Sequence, residues 1–550
     1  MVRVQRTGWD MRRDSFLRGA FILMVGSLIS RVLGAVYRFV LPWLMGGGDA
    51  GAYGMALFGL PYSIYSIALV LSTMGIPLAV SKLVSEAEAR GSLEEARRVF
   101  RISVFLLMGL GAFFSLILFA VSPYFSREVW QNPDAYYSMI ALSPAVFFVA
   151  LMSAFRGWFQ GLQSMTPHAT SQVVEQVVRV VTMFTLVSVL VPYGLKYAAA
   201  GATFGATTGA LFGTMYLIWV YYRDRASRPS EVDAGGDSGP ESESLDTVRL
   251  VKRLLTFAIP ISISGLILPL MRVVDAAVVP TRLIQSGYNA VAATTAYGYL
   301  ESYSMPFINV PAIFSTAVAI SLVPSISASM TRSDLPAVRE KTFAGLRIAA
   351  LVGMPSAVGL WVLADEIPTF FWQSPEAGPV LASITLVGLL LTVQQVSSAA
   401  LQGMGLPALP MYNLFAGAMV KLGLTWVLTA MPTLGVRGAG WATVVGFAVA
   451  VSLNLYSVGG NTGRFSVVGL FWQSAAAAIL MGLAVTFALD PLTGRLGLGG
   501  AVVGGVALGV LVYGVAILLF GGIRSGDLQM IPRVGDRLAE LLRKCHLLRR

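Results

Sequence analysis

SFLRGAFILMVGSLISRVLGAVYRFVL, residues 15–41, decides the class of fold. The stretch exceeds the roughly 20 apolar residues a helix needs to cross a hydrocarbon core, and it far exceeds the about 9–11 residues of a barrel strand. The pattern recurs along the chain. Of 550 residues, 56% are hydrophobic and 12% charged, about half the charged fraction usual in soluble domains. Mean hydropathy is +0.72. Long apolar runs between short polar loops predict an all-α polytopic membrane protein, because only helices and closed barrels satisfy backbone polar groups in lipid.

Working outward from that stretch, fourteen spans are predicted: 16–43, 54–80, 100–122, 137–160, 170–190, 198–222, 254–280, 291–325, 344–365, 379–403, 408–430, 438–457, 466–489 and 497–521. The eighth carries Pro306, Pro311 and Pro324, so a kink or break is expected there. An even count puts both termini on one side. Placing them in the cytoplasm leaves 25 Lys and Arg in cytoplasmic segments and five outside, at Arg127, Lys196, Arg282, Arg437 and Arg495. That bias is the positive-inside pattern, so the net charge of +11 points to membrane topology rather than nucleic acid. The first run lacks a small-residue cleavage site and reads as a span, not a signal peptide.

The spans divide into a first lobe (1–222), a polar cytoplasmic linker (223–253), a second lobe (254–457), a C-terminal helix pair (466–521) and a basic tail (522–550). The linker, rich in Gly, Ser, Pro and acids, reads as flexible. The tail's RVGDRLAELLRKCHLLRR (533–550) reads as an amphipathic helix lying on anionic lipid. The lobes share an internal repeat. Tyr53-Gly54 matches Tyr297-Gly298, Gln160-Gly161-Leu162 matches Gln402-Gly403-Met404, and Pro192 matches Pro432, at offsets of 244, 242 and 240. Six spans per copy insert in the same sense, which relates the copies by an axis along the membrane normal; in such transporters the substrate site lies at the repeat interface and rocking alternates access.

A charge in mid-bilayer costs a few kcal/mol or more and marks a functional candidate. Arg18, Arg101, Arg156 and Arg347 lie near cytoplasmic ends and are expected to snorkel. Arg31 lies about 20 Å into its span, at 1.5 Å per residue. Arg179 and Lys421 are equally deep, and Arg272 is slightly further out. The repeat pairs them: Arg31 with Arg272, offset 241, and Arg179 with Lys421, offset 242. Glu175 and Arg179 are i, i+4, and Arg272 and Asp275 are i, i+3, so local ion pairs are the competing reading. Arg31 and Lys421 have no acid in their own spans, and Glu301 is the remaining deep acid that either could meet. Counting Arg38, five deep cations face three acids. A surplus of this sign selects an anion, for which Arg offers a bidentate fork and Lys a point charge.

Asn309, Gln394 and Gln395 are candidates for sugar hydroxyls, against the commoner role of interhelical hydrogen bonding. Gly201, Gly205 and Gly209 have small-xxx-small spacing and read as helix packing. One cysteine, Cys545, forbids an internal disulfide, and the two histidines, His168 and His546, disfavour a His-built metal site. No nucleophile–base set, phosphate loop or zinc spacing is present, so neither an enzyme nor a primary ATPase is indicated, and no metal or cofactor is expected.

The stretch at 15–41, with MGIPLAVSKLVSE (74–86) and FRGWFQGLQSMTPHATSQVVEQVVRV (155–180), resembles the SpoVB/MurJ branch of the multidrug/oligosaccharidyl-lipid/polysaccharide exporter superfamily. The third segment is the most specific and is similar to the Gram-positive, spore-former version. The resemblance implies a MATE-like, V-shaped fold of two six-helix lobes in a bacterial cytoplasmic membrane, with spans 13 and 14 forming a groove for a lipid tail. It implies flipping of lipid II, an undecaprenyl-diphosphate-linked peptidoglycan precursor, during cell-wall synthesis or sporulation. Arg31, Arg38 and Arg272 fit the places of the family's essential arginines, with Asp275 as an organising acid. Sodium or the membrane potential is implied as energy source. The alternatives are another polyprenyl-diphosphate-linked glycan, a MATE-type small-molecule antiporter, or a membrane scaffold. The expected partners are the lipid-linked anion and membrane lipids, with the chain acting as a monomer.

Overall fold

The computed structural model describes residues 26, 29–30, 33–34, 36–73, 75–227, 250–252, 254, 256, 265–463 and 465–522. The predicted start of span 1 with Arg18 and Arg31, the linker core and the basic tail lie outside the described residues. Among those described, ten helical stretches are long and apolar enough to cross a membrane. Many carry large apolar side chains on their outer faces, such as Phe105, Leu116, Phe487 and Val510. In water that exposure would be costly; against lipid it is the stable arrangement.

The chain falls into two compact units, one running to Gly46 and resuming over Leu57–Val273, the other taking Gly47–Ala56 and everything from Val274. In the first unit, α1 (Gly48–Thr73) continues inward from Leu57. It is followed by α2 (Ile76–Ala89), α3 (Leu93–Tyr124), α4 (Ala135–Gly161), α5 (Met165–Leu190) and α6 (Leu195–Ser227). Gly75, at φ 62°, breaks the predicted second span between α1 and α2, a conformation that costs glycine nothing. Ser92 caps α3 by accepting a hydrogen bond from the Glu95 amide. Phe100, Phe155, Trp158 and Tyr221 join α3, α4 and α6 in one aromatic cluster, with ring centroids about 5–6 Å apart.

The glycines of α6 do what their spacing predicts. A Cβ on Gly205 would meet Met183 Cγ at 2.4 Å, and one on Gly209 would meet the Glu175 carbonyl at 2.6 Å. Only glycine lets α6 lie this close to α5, and the approach fixes the helix that carries Glu175 and Arg179.

The second unit holds α7 (Ile267–Gln285) from Val274 onward, α8 (Ala290–Gly298) and α9 (Met305–Thr331), with α10 (Leu335–Val362) and the short α11 (Glu366–Trp372) after them. α12 (Gly378–Gly403), α13 (Ala408–Leu428), α14 (Val436–Thr462) and α15 (Val467–Leu519) complete it. A π-helical turn, Tyr299–Ser304, separates α8 from α9 ahead of the prolines at which a break in span 8 is expected, and Pro311 and Pro324 lie inside α9. Spans 13 and 14 are two helices of α15 that fold back on each other at Gly497, whose φ of 69° is not helical, and Gln473 donates to the Phe520 and Gly521 carbonyls across the pair. α12 packs against α9, α10 and α14, and α15 packs against α10 and α11. Asp334 and Ser466 cap α10 and α15.

Candidate functional site

In the first unit, Glu175 on α5 is the hub of a half-buried cluster. Its Oε2 accepts from Arg156 on α4 at 2.9 Å, and its Oε1 accepts from Arg179 at 2.9 Å. The three side chains are 15–18% exposed. Arg156 also donates Nε–H to the Ser171 hydroxyl, which donates to the His168 carbonyl. Arg179 Nε has no partner. Two guanidinium groups therefore share one carboxylate, and the cluster keeps a net positive charge in a region where charge is costly. Tyr37, Phe58, Tyr62 and Tyr65 form a ladder of ring contacts, with centroids 6.2, 4.7 and 5.5 Å apart.

The Glu175–Arg179 pair follows the i, i+4 spacing. Arg156 is a correction. It does not snorkel; Glu175 and Ser171 hold it inside. The clue was the short connection between α4 and α5, which puts both residues within a few turns of one helix hairpin. An arginine stem then spans the gap more cheaply than it reaches water. Arg38 is half-buried and has a partner of its own.

In the second unit, Lys421 on α13 is 5% exposed and donates from Nζ to Oδ2 of Asp275, itself 9% exposed. This overturns two expectations. Asp275 pairs across helices rather than with Arg272 three residues away, and Lys421 does have an acid, which is not Glu301. The physical reason is burial: Lys421 has no route to an interface, so the one reachable carboxylate on α7 neutralises it. Arg272 is exposed and forms no ion pair among the described residues. A Cβ on Gly446 would meet Lys421 Cβ at 2.7 Å, so α14 presses directly on the helix face that carries the lysine.

Glu301 sits in the π-helical turn, half-buried and partnered. Beside it, Tyr299 donates to the Asp49 carboxylate, Tyr303 donates to the Gly48 carbonyl at 3.0 Å, and Ser302 donates to the Met55 carbonyl at 3.2 Å. Tyr303 also stacks on Trp372, with centroids 4.2 Å apart. This set clamps residues 47–56 into the second unit; no sequence spacing announced it. Gln395 accepts from Thr316 across α9 and α12, Gln394 donates to Ser398, and Asn309 donates to the Met305 carbonyl on its own helix. These bonds are local or interhelical, and Asn309 stays exposed. Asn454 donates to Ser397 and Ser398 and accepts from Asn413, tying α12, α13 and α14.

A third feature is an apolar cavity of about 420 Å³ within the second unit. Phe307 of α9, Leu351 and Pro355 of α10, and Met481, Val506 and Val510 of α15 line it. It is the size of a small-molecule site, yet nearly devoid of polar groups.

Comparison with known proteins places this architecture. Residues 16–330 match the polysaccharide biosynthesis protein family model, and residues 260–427 match the MatE model. Stage V sporulation protein B of Bacillus subtilis (strain 168) is 29% identical over 530 residues, covering 96% of this chain and 99% of that protein. Lipid II flippase MurJ of the same organism is 30% identical over 556 residues, covering 96% and 99%. Among solved structures, a lipid II flippase MurJ in an inward closed conformation superposes with a TM-score of 0.66 at 15% identity, covering 91% of this chain and 98% of that one. An inward-facing multidrug resistance MATE family transporter superposes at 0.58, with 15% identity, over 78% of this chain and 100% of that one. The helical architecture, the family models and full-length relatives agree: the chain belongs to the polysaccharide biosynthesis protein family, as a polytopic membrane transporter rather than an enzyme.

Proposed function

We propose that this protein flips an undecaprenyl-diphosphate-linked glycan, lipid II in the first instance, from the inner to the outer leaflet of a bacterial cytoplasmic membrane by alternating access. The observation that carries the reading is the surplus of deep positive charge. Arg156 and Arg179 share the single carboxylate of Glu175, and Arg272 is exposed with no ion pair among the described residues. Such groups stabilise a polyphosphate through charge-assisted, bidentate hydrogen bonds. They repel a cationic drug, which disfavours an antiporter of that kind. The apolar cavity beside α15 supports a substrate with a hydrocarbon tail, since burying each methylene contributes about 0.8 kcal/mol. The relatives' names, one a lipid II flippase and one a sporulation protein, support a wall-precursor substrate. In this reading Arg31, Arg38, Arg179, Arg272 and Lys421 meet the diphosphate, the protein works as a monomer, and both termini are cytoplasmic.

The test is flipping of fluorescent lipid II in proteoliposomes, with a neutral polyprenol glycoside as control. Arg272→Ala is expected to lower flipping at least tenfold while the protein still inserts, and the neutral analogue should not move. Wild-type rates in Arg272→Ala remove the cation-based mechanism. Rescue of a cell depleted of its lipid II flippase assigns lipid II; failure to rescue, with flipping of another diphosphate-linked glycan, assigns that glycan instead.

A further inference from the structure

α5 carries a polar stripe longer than its charge cluster requires. His168, Gln172, Glu175 and Arg179 follow one another at i, i+4, i+7 and i+11, so they share one helix face over about 16 Å at 1.5 Å per residue. All four are half-buried, so none is sealed off. The exposed Val177 and Val181 lie on the opposite face, the one suited to lipid, and the stripe therefore points into the protein. α4 and α5 each pack on α6, and Arg156 bridges them by donating to Glu175 and to the Ser171 hydroxyl.

The chemistry changes along the stripe. Arg179 stands at one end, with Nε unpartnered and the Tyr62, Tyr65 and Tyr37 hydroxyls within electrostatic reach. Glu175 and its partner Arg156 come next. The other end is an amide and an imidazole: Gln172 Nε2 lies 3.5 Å from His168 Nε2, and His168 Nδ1 is buried with no partner. Native structures tolerate few such nitrogens. Ion pairing accounts for Arg156, Glu175 and Arg179; it gives no reason for an amide and an imidazole one and two turns before Glu175. Cations select phosphate, whereas sugar hydroxyls are read by groups that both donate and accept. In the topology proposed above, the N-terminal end of α5 is cytoplasmic and Arg179 lies mid-bilayer. A lipid-linked diphosphate has its tail in the bilayer, its diphosphate next and its glycan nearest the water. The order of groups along the stripe is the order of groups along that substrate.

We propose that His168 and Gln172 form the sugar-reading part of the substrate site, setting selectivity for a hydroxyl-bearing glycan whose diphosphate is held at Arg179; this rests on the flippase reading above. A sugar hydroxyl enters between the two side chains, accepts from the Gln172 amide and donates to the imidazole, so two hydrogen bonds replace one long contact. With no bond at Nδ1, the ring is free to turn and offer either nitrogen. A site built this way rejects a ligand that lacks the hydroxyl, because its own polar groups are then left unpaired.

Two probes, undecaprenyl diphosphate and lipid II, are titrated into full-length protein in nanodiscs; they share tail and diphosphate and differ in the headgroup. Wild type is expected to bind lipid II at least about tenfold more tightly. Gln172→Leu and His168→Ala are each expected to lower that preference about five- to tenfold, the worth of one hydrogen bond. Arg179→Gln is expected to weaken both probes alike. Equal loss of both probes in the Gln172 and His168 variants shows that these side chains only support the fold and overturns the proposal. An unchanged preference does the same. Should Gln172→Leu fail to fold, Gln172→Asn, an amide one methylene shorter, makes the same distinction. Equal affinity of wild type for the two probes overturns the proposal without any variant and leaves the diphosphate reading standing. Binding of neither probe by wild type overturns the flippase reading and this proposal with it.

Discussion

Replacing Glu175 by Gln tests the central claim about the first unit, that one carboxylate holds two half-buried arginines. The substitution keeps the side-chain shape and removes the charge. It leaves Arg156 at 16% and Arg179 at 18% side-chain exposure without an acid. Breaking a buried pair from one side costs about 3–5 kcal/mol, because the surviving charge stays desolvated. Two charges are stranded here, but the new amide oxygen still accepts from one of them, so the lower end of that range is the working figure. For a folding unit of this size, 1 kcal/mol shifts the midpoint by roughly 2–4 °C, so about 6–12 °C is expected. The assay is thermal unfolding in detergent, followed by tryptophan fluorescence. Glu175→Gln combined with Arg156→Gln should regain part of the loss, since one stranded charge is then gone. A melting point within about 2 °C of wild type for Glu175→Gln would show that the arginines reach water and that no positive cluster is held inside.

Two further outcomes follow from the second unit. A Cβ on Gly298 would lie 2.2 Å from the Ala52 carbonyl oxygen, so Gly298→Ala must push α8 away from residues 47–56. A loss of about 1–3 kcal/mol, the cost of overpacking, should appear as a lower melting point, and an unchanged one would refute the close approach. Glu366, the first residue of α11, has a carboxyl pushed above its ordinary value, chiefly by burial and then by the charges of Asp365 and Asp490. Its raised value means that stability is fully present below the ordinary carboxylate range and is lost as pH rises through the elevated value. Glu366→Gln should therefore melt higher than wild type at pH 8, with the gain vanishing in acid; a gain that persists unchanged at low pH would contradict the assignment.

Hydropathy alone made the helical membrane class legible, because a backbone in lipid has so few ways to satisfy itself. The glycine spacing on α6 announced its packing for a similar reason: helix periodicity puts Gly201, Gly205 and Gly209 on one face whatever the partner. Local ion pairing was legible only where both members share a helix, as Glu175 and Arg179 do. Proline content announced a break in the eighth span, but the π-helical turn lies before Pro306, where Tyr299, Ser302 and Tyr303 meet residues 47–56, and Pro311 and Pro324 sit inside α9.

The partners of charges on different helices were not legible. Asp275 had Arg272 three residues away on its own helix, yet it faces Lys421, 146 residues on. Arg156 had a nearby interface by count, yet it turns to Glu175. Sequence determines which side chains are costly in a membrane; it carries no distance between helices. Coulomb attraction and desolvation act over a few ångströms, and those ångströms are set by how α7 meets α13 and how α4 meets α5. Tertiary packing therefore chose which cations are neutralised and which stay available, while the apolar runs had already determined that the chain spans the bilayer.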